Sequence, residues 1–221
     1  MKTTASCLKV VVFGGPQVGK SAVTVRFLTK RFIGEYSSGT DCSYQMMFRY
    51  EDAALKVEIV DCSSSSDLEK NKEVDTADAV IVVYSVIDSE SLKSAHTILD
   101  FLNKRVHFSV PVLLLGNKTD LEHLRQVSRD DVMRMTRNYG CRHCEVSAAE
   151  SYTGVNRPFQ QLLADGLETR RTRLGHVKRR KSLFENVSRR LGNVFRRKSL
   201  EEVLPKRRLP TVVENMNRRS V

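Results

Sequence analysis

Four apolar runs of strand length punctuate the first 116 residues of the chain, at Leu8–Gly14, Ala54–Asp61, Ala79–Ser85 and Val110–Gly116. Three are rich in Val or Ile and the fourth is mostly Leu, the pattern of strands buried in a parallel sheet. Between and after them the spacing predicts helices over Lys20–Lys30, Ser89–Lys104, Ser128–Tyr139 and Gly154–Arg171. The first is entered from a glycine loop, and serines open the second and third as caps. Ser43–Tyr50, followed by Glu51-Asp52-Ala53 and then Ala54–Asp61, reads as a hairpin that adds an antiparallel edge strand, and Arg142–Ser147 reads as a last strand. This alternation predicts a three-layer α/β domain with a mostly parallel sheet of about six strands. Ligands of such sheets sit at the carboxyl ends of the strands, where the polar motifs of this chain fall.

The first of these is Gly14-x-x-x-x-Gly19-Lys20-Ser21, placed between a strand and a helix. A glycine loop there turns backbone N–H groups toward a phosphate, and the helix N-terminus adds positive potential. Lys20 is placed to reach β- and γ-phosphates and the Ser21 hydroxyl to ligate Mg²⁺. The second is Asn117-Lys118-Thr119-Asp120, after the fourth apolar run. A carboxylate at Asp120 accepts two hydrogen bonds from the N1–H and 2-amino group of guanine; adenine supplies neither and leaves it unpaired. Lys118 can lay its methylene stem along the base, and Ser147-Ala148-Ala149, after the last strand, can offer a backbone N–H to guanine O6.

With these motifs, Ser21–Tyr36 and Asp61 closing a strand, the chain resembles the Ras superfamily of small GTPases, a P-loop NTPase fold, over about residues 8 to 170. Its helix-to-loop wording is most similar to the branch of the Ras-related oestrogen-regulated growth inhibitors, which lacks a C-terminal prenylation motif. The resemblance implies a signalling switch that binds GTP and GDP with Mg²⁺, engages effector proteins and acts as a monomer. It implies nucleotide contacts from Gly14, Gly15, Pro16, Gln17, Val18, Gly19, Lys20, Ser21 and Ala22, with Lys20 stabilising charge in catalysis. It further implies that Phe32 stacks edge-on against the base and that Asp61 holds Mg²⁺ through water. An ordinary core aromatic is the other reading of Phe32.

The departures from the family pattern concern hydrolysis. Where the first switch loop normally has a Mg²⁺-contacting threonine, ungapped spacing from Phe32 brings Gly39, and a slip of one residue would bring Thr40. The second switch, normally Asp-x-x-Gly-Gln, reads Asp61-Cys62-Ser63-Ser64-Ser65. Ser64 lacks the backbone freedom of glycine, and Ser65, in the place of the catalytic glutamine, is too short to orient a water. The serine run Ser63–Ser66 reads foremost as a flexible surface loop. Pro16 removes an N–H donor and sets a rigid ring near the γ-phosphate. The expectation is retained binding with slow hydrolysis, or an interaction module that no longer cycles.

The charge is uneven. Of a formal +11, residues 1 to 170 carry −1 and residues 171 to 221 carry +12, so any attraction to polyanions belongs to the tail. The tail holds a near-repeat, Arg179–Leu183 and Arg196–Leu200, and a weak apolar stripe that predicts a short basic amphipathic helix over about residues 182–200. Such a segment suits an anionic membrane surface or a calmodulin-like groove, with a solvated tail as the other reading. Ser182 and Ser199 each follow three basic residues, and phosphorylation there would subtract nearly two charges each. No cysteine follows Cys144, so the tail is expected to carry no prenyl or palmitoyl anchor. Interleaved aromatics and a readout motif are absent, so no specific nucleic acid is expected. The N-terminus reads as no secretion signal and five scattered cysteines read as free thiols, which points to the cytoplasm, its membrane face or the nucleus. Cys141-Arg142-His143-Cys144 resembles half a zinc site but reads as a strand that places Cys144 in the core.

Overall fold

The structure is a computed structural model and describes residues 7–33, 41–51, 53–62, 68, 71–105 and 110–191, with side chains as far as residue 173. Its first unit, Met1–Thr172, carries all six strands, and its second is Arg173–Val221. The strands are β1 (Leu8–Gly14), β2 (Cys42–Tyr50), β3 (Ala53–Asp61), β4 (Ala79–Ser85), β5 (Val112–Asn117) and β6 (Arg142–Glu145). They form one sheet of order β2-β3-β1-β4-β5-β6, in which only β2–β3 is antiparallel. The expected α/β architecture with one antiparallel edge strand is what is found.

Strand side chains alternate between two faces, and each face builds its own core. On one face Val10, Val12, Ile59, Ile81, Val83 and Leu115 pack with Val23 and Phe27 of α1 (Lys20–Thr29) and Phe159 and Leu162 of α4 (Tyr152–Leu191). The rings of Phe27 and Phe159 stack at 4.6 Å between centroids. On the other face Val11, Phe13, Val80, Val82, Tyr84 and Leu114 meet Ile98, Leu99 and Leu102 of α2 (Ser89–Asn103) and Val132 and Met135 of α3 (Arg129–Tyr139). Burying β1, β4 and β5 on both sides fixes their register, and with it the height at which these strand ends deliver their polar residues.

Three expectations about element ends are corrected. The N-cap of α2 is Asp88, whose side chain accepts from the Glu90 N–H at 3.0 Å, rather than Ser89. Ser128 does stand at the N-cap of α3, but makes no side-chain capping bond. α4 does not stop at Arg171: residues 167–174 contain no helix breaker, and Gly175, unfavourable by about 1 kcal/mol inside a helix, does not end it. Residues 182–191 of the expected tail helix are therefore the last turns of α4, and 192–200 lie outside the described residues. No described helix is long and apolar enough to cross a membrane.

Candidate functional site

β1 ends at Gly14, and the chain turns through Gly15, Pro16, Gln17 and Val18 before α1 begins at Lys20. The N-cap of α1 is Gly19, with φ 91° and no side chain to cap the helix. The amides of Gly19, Lys20, Ser21 and Ala22 therefore have no intrahelical acceptor, the donor set that a helix N-terminus can offer an anion. Gly19 is also required sterically, because a Cβ there would lie 2.3 Å from Asn117 Nδ2. Gln17 sits in the left-handed region at φ 56° with its side chain exposed, as does that of Pro16.

Lys20 is 8% exposed, and its Nζ folds back to donate to the carbonyls of Gly14 at 3.1 Å and Gly15 at 2.8 Å. Burial lowers its pKa, against the opposing pull of Asp61. The Ser21 hydroxyl donates to Asp61 Oδ2 at 2.5 Å, while Asp61 Oδ1 is buried with no hydrogen-bond partner among the described residues. Desolvation raises the Asp61 carboxyl, opposed by the Ser21 bond and by Lys20. Beside it, burial pushes the Cys62 thiol up to about 11, although Asn71 Nδ2 donates to its Sγ at 3.4 Å. A hydroxyl and a carboxylate meeting with one carboxylate oxygen unsatisfied suit a hard cation such as Mg²⁺, which takes few protein ligands and keeps several waters. Among the described residues no group of three or more His, Cys, Asp or Glu offers a protein-only metal cage.

Against the glycine loop, Asn117 closes β5 and is 3% exposed. Its Nδ2 donates to the Val18 carbonyl at 3.0 Å, and its Oδ1 accepts from the Ala148 N–H at 3.2 Å. One amide thus ties the glycine loop to the turn after β6. Of the Ser147-Ala148-Ala149 amides expected to offer an N–H to guanine O6, that of Ala148 is accordingly already engaged by Asn117. Lys118 takes φ 70° and turns the chain into a 3₁₀ segment, Thr119–Leu124. Asp120 Oδ1 accepts from the Ser147 hydroxyl at 2.6 Å, which in turn accepts from the Glu150 N–H at 3.1 Å. Ala149 is exposed beside them. Phe32 is 46% exposed, which removes the core reading of that ring. Gly39, Thr40, Ser64 and Ser65 lie outside the described residues, as does Ser199; Ser182 is described in its backbone only.

A second network, beneath the turns at Lys118 and Ser147, was not expected. Tyr84 is fully buried, and its hydroxyl donates to Glu145 Oε1 at 3.0 Å with His143 Nε2 also at 3.0 Å. Arg125 clasps Glu145 at 3.0 and 2.7 Å and Glu122 at 2.8 and 2.6 Å. Burial pushes Glu145 up, but the Arg125 bonds and the Tyr84 hydroxyl together hold it below its ordinary value. The network joins the segment carrying Asp120 to the strand leading into Ser147. A glutamate closing the short strand Arg142–Glu145, just before Val146-Ser147-Ala148, is the signal in the sequence that points to it.

A free helix N-terminus, a buried lysine and a hydroxyl–carboxylate pair at the ends of adjacent strands define a P-loop nucleotide-binding protein. Residues 9–168 match the Ras family, and the chain belongs to that family. It is 34% identical to Ras-like protein family member 11A of Mus musculus over 187 residues, 80% of this chain and 76% of that protein. It is 36% identical to the Ras-related and estrogen-regulated growth inhibitor-like protein of Bos taurus over 167 residues, 72% and 82% of the two chains. With the Ras-related and estrogen-regulated growth inhibitor of Homo sapiens it shares 33% identity over 181 residues, 79% and 88% of the two.

Proposed function

We propose that this Ras-like GTPase is a signalling switch that holds GTP or GDP with Mg²⁺ and hydrolyses GTP slowly. The observation that carries the reading is the uncapped N-terminus of α1 beside a buried Lys20 and the unpartnered Asp61 Oδ1. The loop amides and Lys20 take the phosphates, exchanging the carbonyls of Gly14 and Gly15 for phosphate oxygens. Ser21 and Asp61 hold Mg²⁺, Asp61 through water, and Thr40 completes the set if the first switch slips by one residue. The metal supplies charge neutralisation between phosphate oxygens. Asp120, oriented by Ser147, reads the guanine edge; Lys118 and the exposed Phe32 flank the ring; and the Ala148 amide shares its hydrogen between Asn117 and O6.

Hydrolysis is slow on this reading because Ser64 and Ser65 stand where a glycine and a water-orienting glutamine work, and Pro16 crowds the γ-phosphate. Even an intact Ras-type site turns over unaided at only roughly 10⁻⁴ per second. Ser64 and Ser65 also favour a second reading, a nucleotide-holding interaction module that does not cycle. Single-turnover hydrolysis by the purified full chain separates the alternatives. A measurable rate below the Ras scale supports the slow switch, no hydrolysis supports the module, and a rate well above that scale rejects both. The chain acts as a monomer in the cytoplasm or nucleus, and its basic tail makes reversible electrostatic contact with an anionic membrane surface, with a calmodulin-like groove as the competing partner.

A further inference from the structure

The sheet ends at β6, and no described strand lies beyond it. In a parallel pair, alternate residues turn both main-chain groups to the neighbour. The Val146 N–H bonds the Gly116 carbonyl at 2.7 Å, so the register of β5 and β6 turns Cys144 and Arg142 inward in the same way. The N–H and C=O groups of His143 and Glu145 therefore point out of the sheet. Beside this edge β6 and the first turns of α4 enclose a cleft of about 240 Å³ with an apolar floor of Leu113, Cys144, Pro158 and Leu162. Arg142 and Arg157 stand at its rim. Arg142 is held by Asp165 at 3.0 and 3.1 Å, while Arg157 is exposed and makes no ion pair among the described residues. Two guanidinium groups against one carboxylate leave the rim positive. Neither the cleft nor the edge belongs to the nucleotide site.

We propose that β6 and this cleft receive an extended acidic peptide, which adds a seventh strand to the sheet. Its main chain pairs with His143 and Glu145. Strand side chains on one face recur every second residue, roughly 6.6–7 Å apart, so an apolar side chain entering the cleft places the residue two positions away near the rim. Arg157 selects a carboxylate at that position. The peptide therefore presents an apolar residue and an acidic one separated by a single residue, the form in which main-chain bonds give affinity and alternate side chains give specificity. A second copy of this chain fits poorly, because pairing two β6 edges would bring the same arginines together.

The test uses the full chain and a labelled peptide, acetyl-Ser-Thr-Leu-Thr-Glu-Thr-Ser-amide, with a control in which lysine replaces the glutamate. Fluorescence anisotropy gives the affinities, and amide chemical shifts report the location. The acidic peptide is expected to bind saturably and to shift the His143 and Glu145 amides. Arg157→Glu, an exposed change that leaves the fold and the nucleotide site intact, is expected to weaken it at least about tenfold and to favour the lysine peptide instead. No saturable binding up to millimolar peptide, or binding indifferent to Arg157→Glu, overturns the proposal. So does a concentration-dependent dimer of the chain that His143→Pro abolishes, since that assigns the edge to a second copy.

Discussion

Asn117 donates to the carbonyl of Val18 at 3.0 Å, across 99 positions of the sequence. The same side chain accepts from Ala148, so the phosphate loop and the turn after β6 are held by one buried amide. Removing it leaves the Val18 carbonyl and the Ala148 N–H without their partner. Asn117→Ala is expected to lower unfolding stability by about 1–3 kcal/mol, the range for buried groups left unpaired, and to speed nucleotide release. Urea unfolding and the release of a fluorescent guanine nucleotide measure the two effects. A variant that loses stability without faster release would deny the clamp its part in binding.

Asp61 and Lys20 are both buried at a cost. Burial raises the Asp61 carboxyl, so its ionised form costs the folded state stability above the folded pKa, and this cost vanishes as pH falls below the unfolded value of about 4. The lowered Lys20 has the opposite sense, its cost fading only as pH rises toward its unfolded value. At neutral pH the ligand-free protein bears both. Asp61→Asn is expected to stabilise the ligand-free protein at neutral pH, with the advantage shrinking as pH falls through the raised pKa, and to reduce the stabilisation that Mg²⁺ and nucleotide add. Urea unfolding across that pH range, with and without ligand, checks both signs.

Gly116 lies against Tyr84: a Cβ there would come within 2.6 Å of the ring carbon Cζ and the hydroxyl, and 3.0 Å of Glu145 Cγ. Gly116→Ala is expected to cost about 1–3 kcal/mol by overpacking. Combining it with Tyr84→Ala should cost less than the sum of the single changes, because the clash is then removed. Thermal unfolding of the four proteins closes the cycle, and simple additivity would contradict the contact.

The parts of the fold set by local pattern were legible in the sequence. β1 and β4 have the predicted bounds because their largely apolar runs end at glycine or polar punctuation. β5 begins at Val112, after Pro111, which has no N–H to donate, and runs to Asn117 because that residue pairs with Ser85 of β4. Register of this kind is invisible in one strand alone. The phosphate loop and Asn117–Asp120 were legible because their chemistry lies in consecutive residues. The Tyr84–Glu145–Arg125 network was not, since it joins positions 61 and 20 residues apart through the alignment of β4, β5 and β6. The cap of α2 was misplaced by one residue, because Ser89 and Asp88 can both cap and only geometry shows which oxygen meets the Glu90 N–H.

The charge of the tail carries its own prediction. Sixteen basic residues against four acidic ones in residues 171 to 221 give binding to anionic vesicles that weakens steeply with salt. Phosphorylation at Ser182 and Ser199 is expected to weaken it further. Vesicle sedimentation of the full chain over a salt series, before and after treatment with a basophilic kinase, measures this. Binding indifferent to both would place the contact elsewhere.

Titration calorimetry of the full chain with Mg²⁺ and guanosine or adenosine nucleotides tests the central claim most directly. The uncapped turn at Gly19 and the carboxylate of Asp120 predict saturable heat with GDP and GTP and far weaker binding of ADP and ATP, a preference that Asp120→Ala abolishes. No heat with either guanosine nucleotide, or equal affinity for the adenosine ones, would contradict the account.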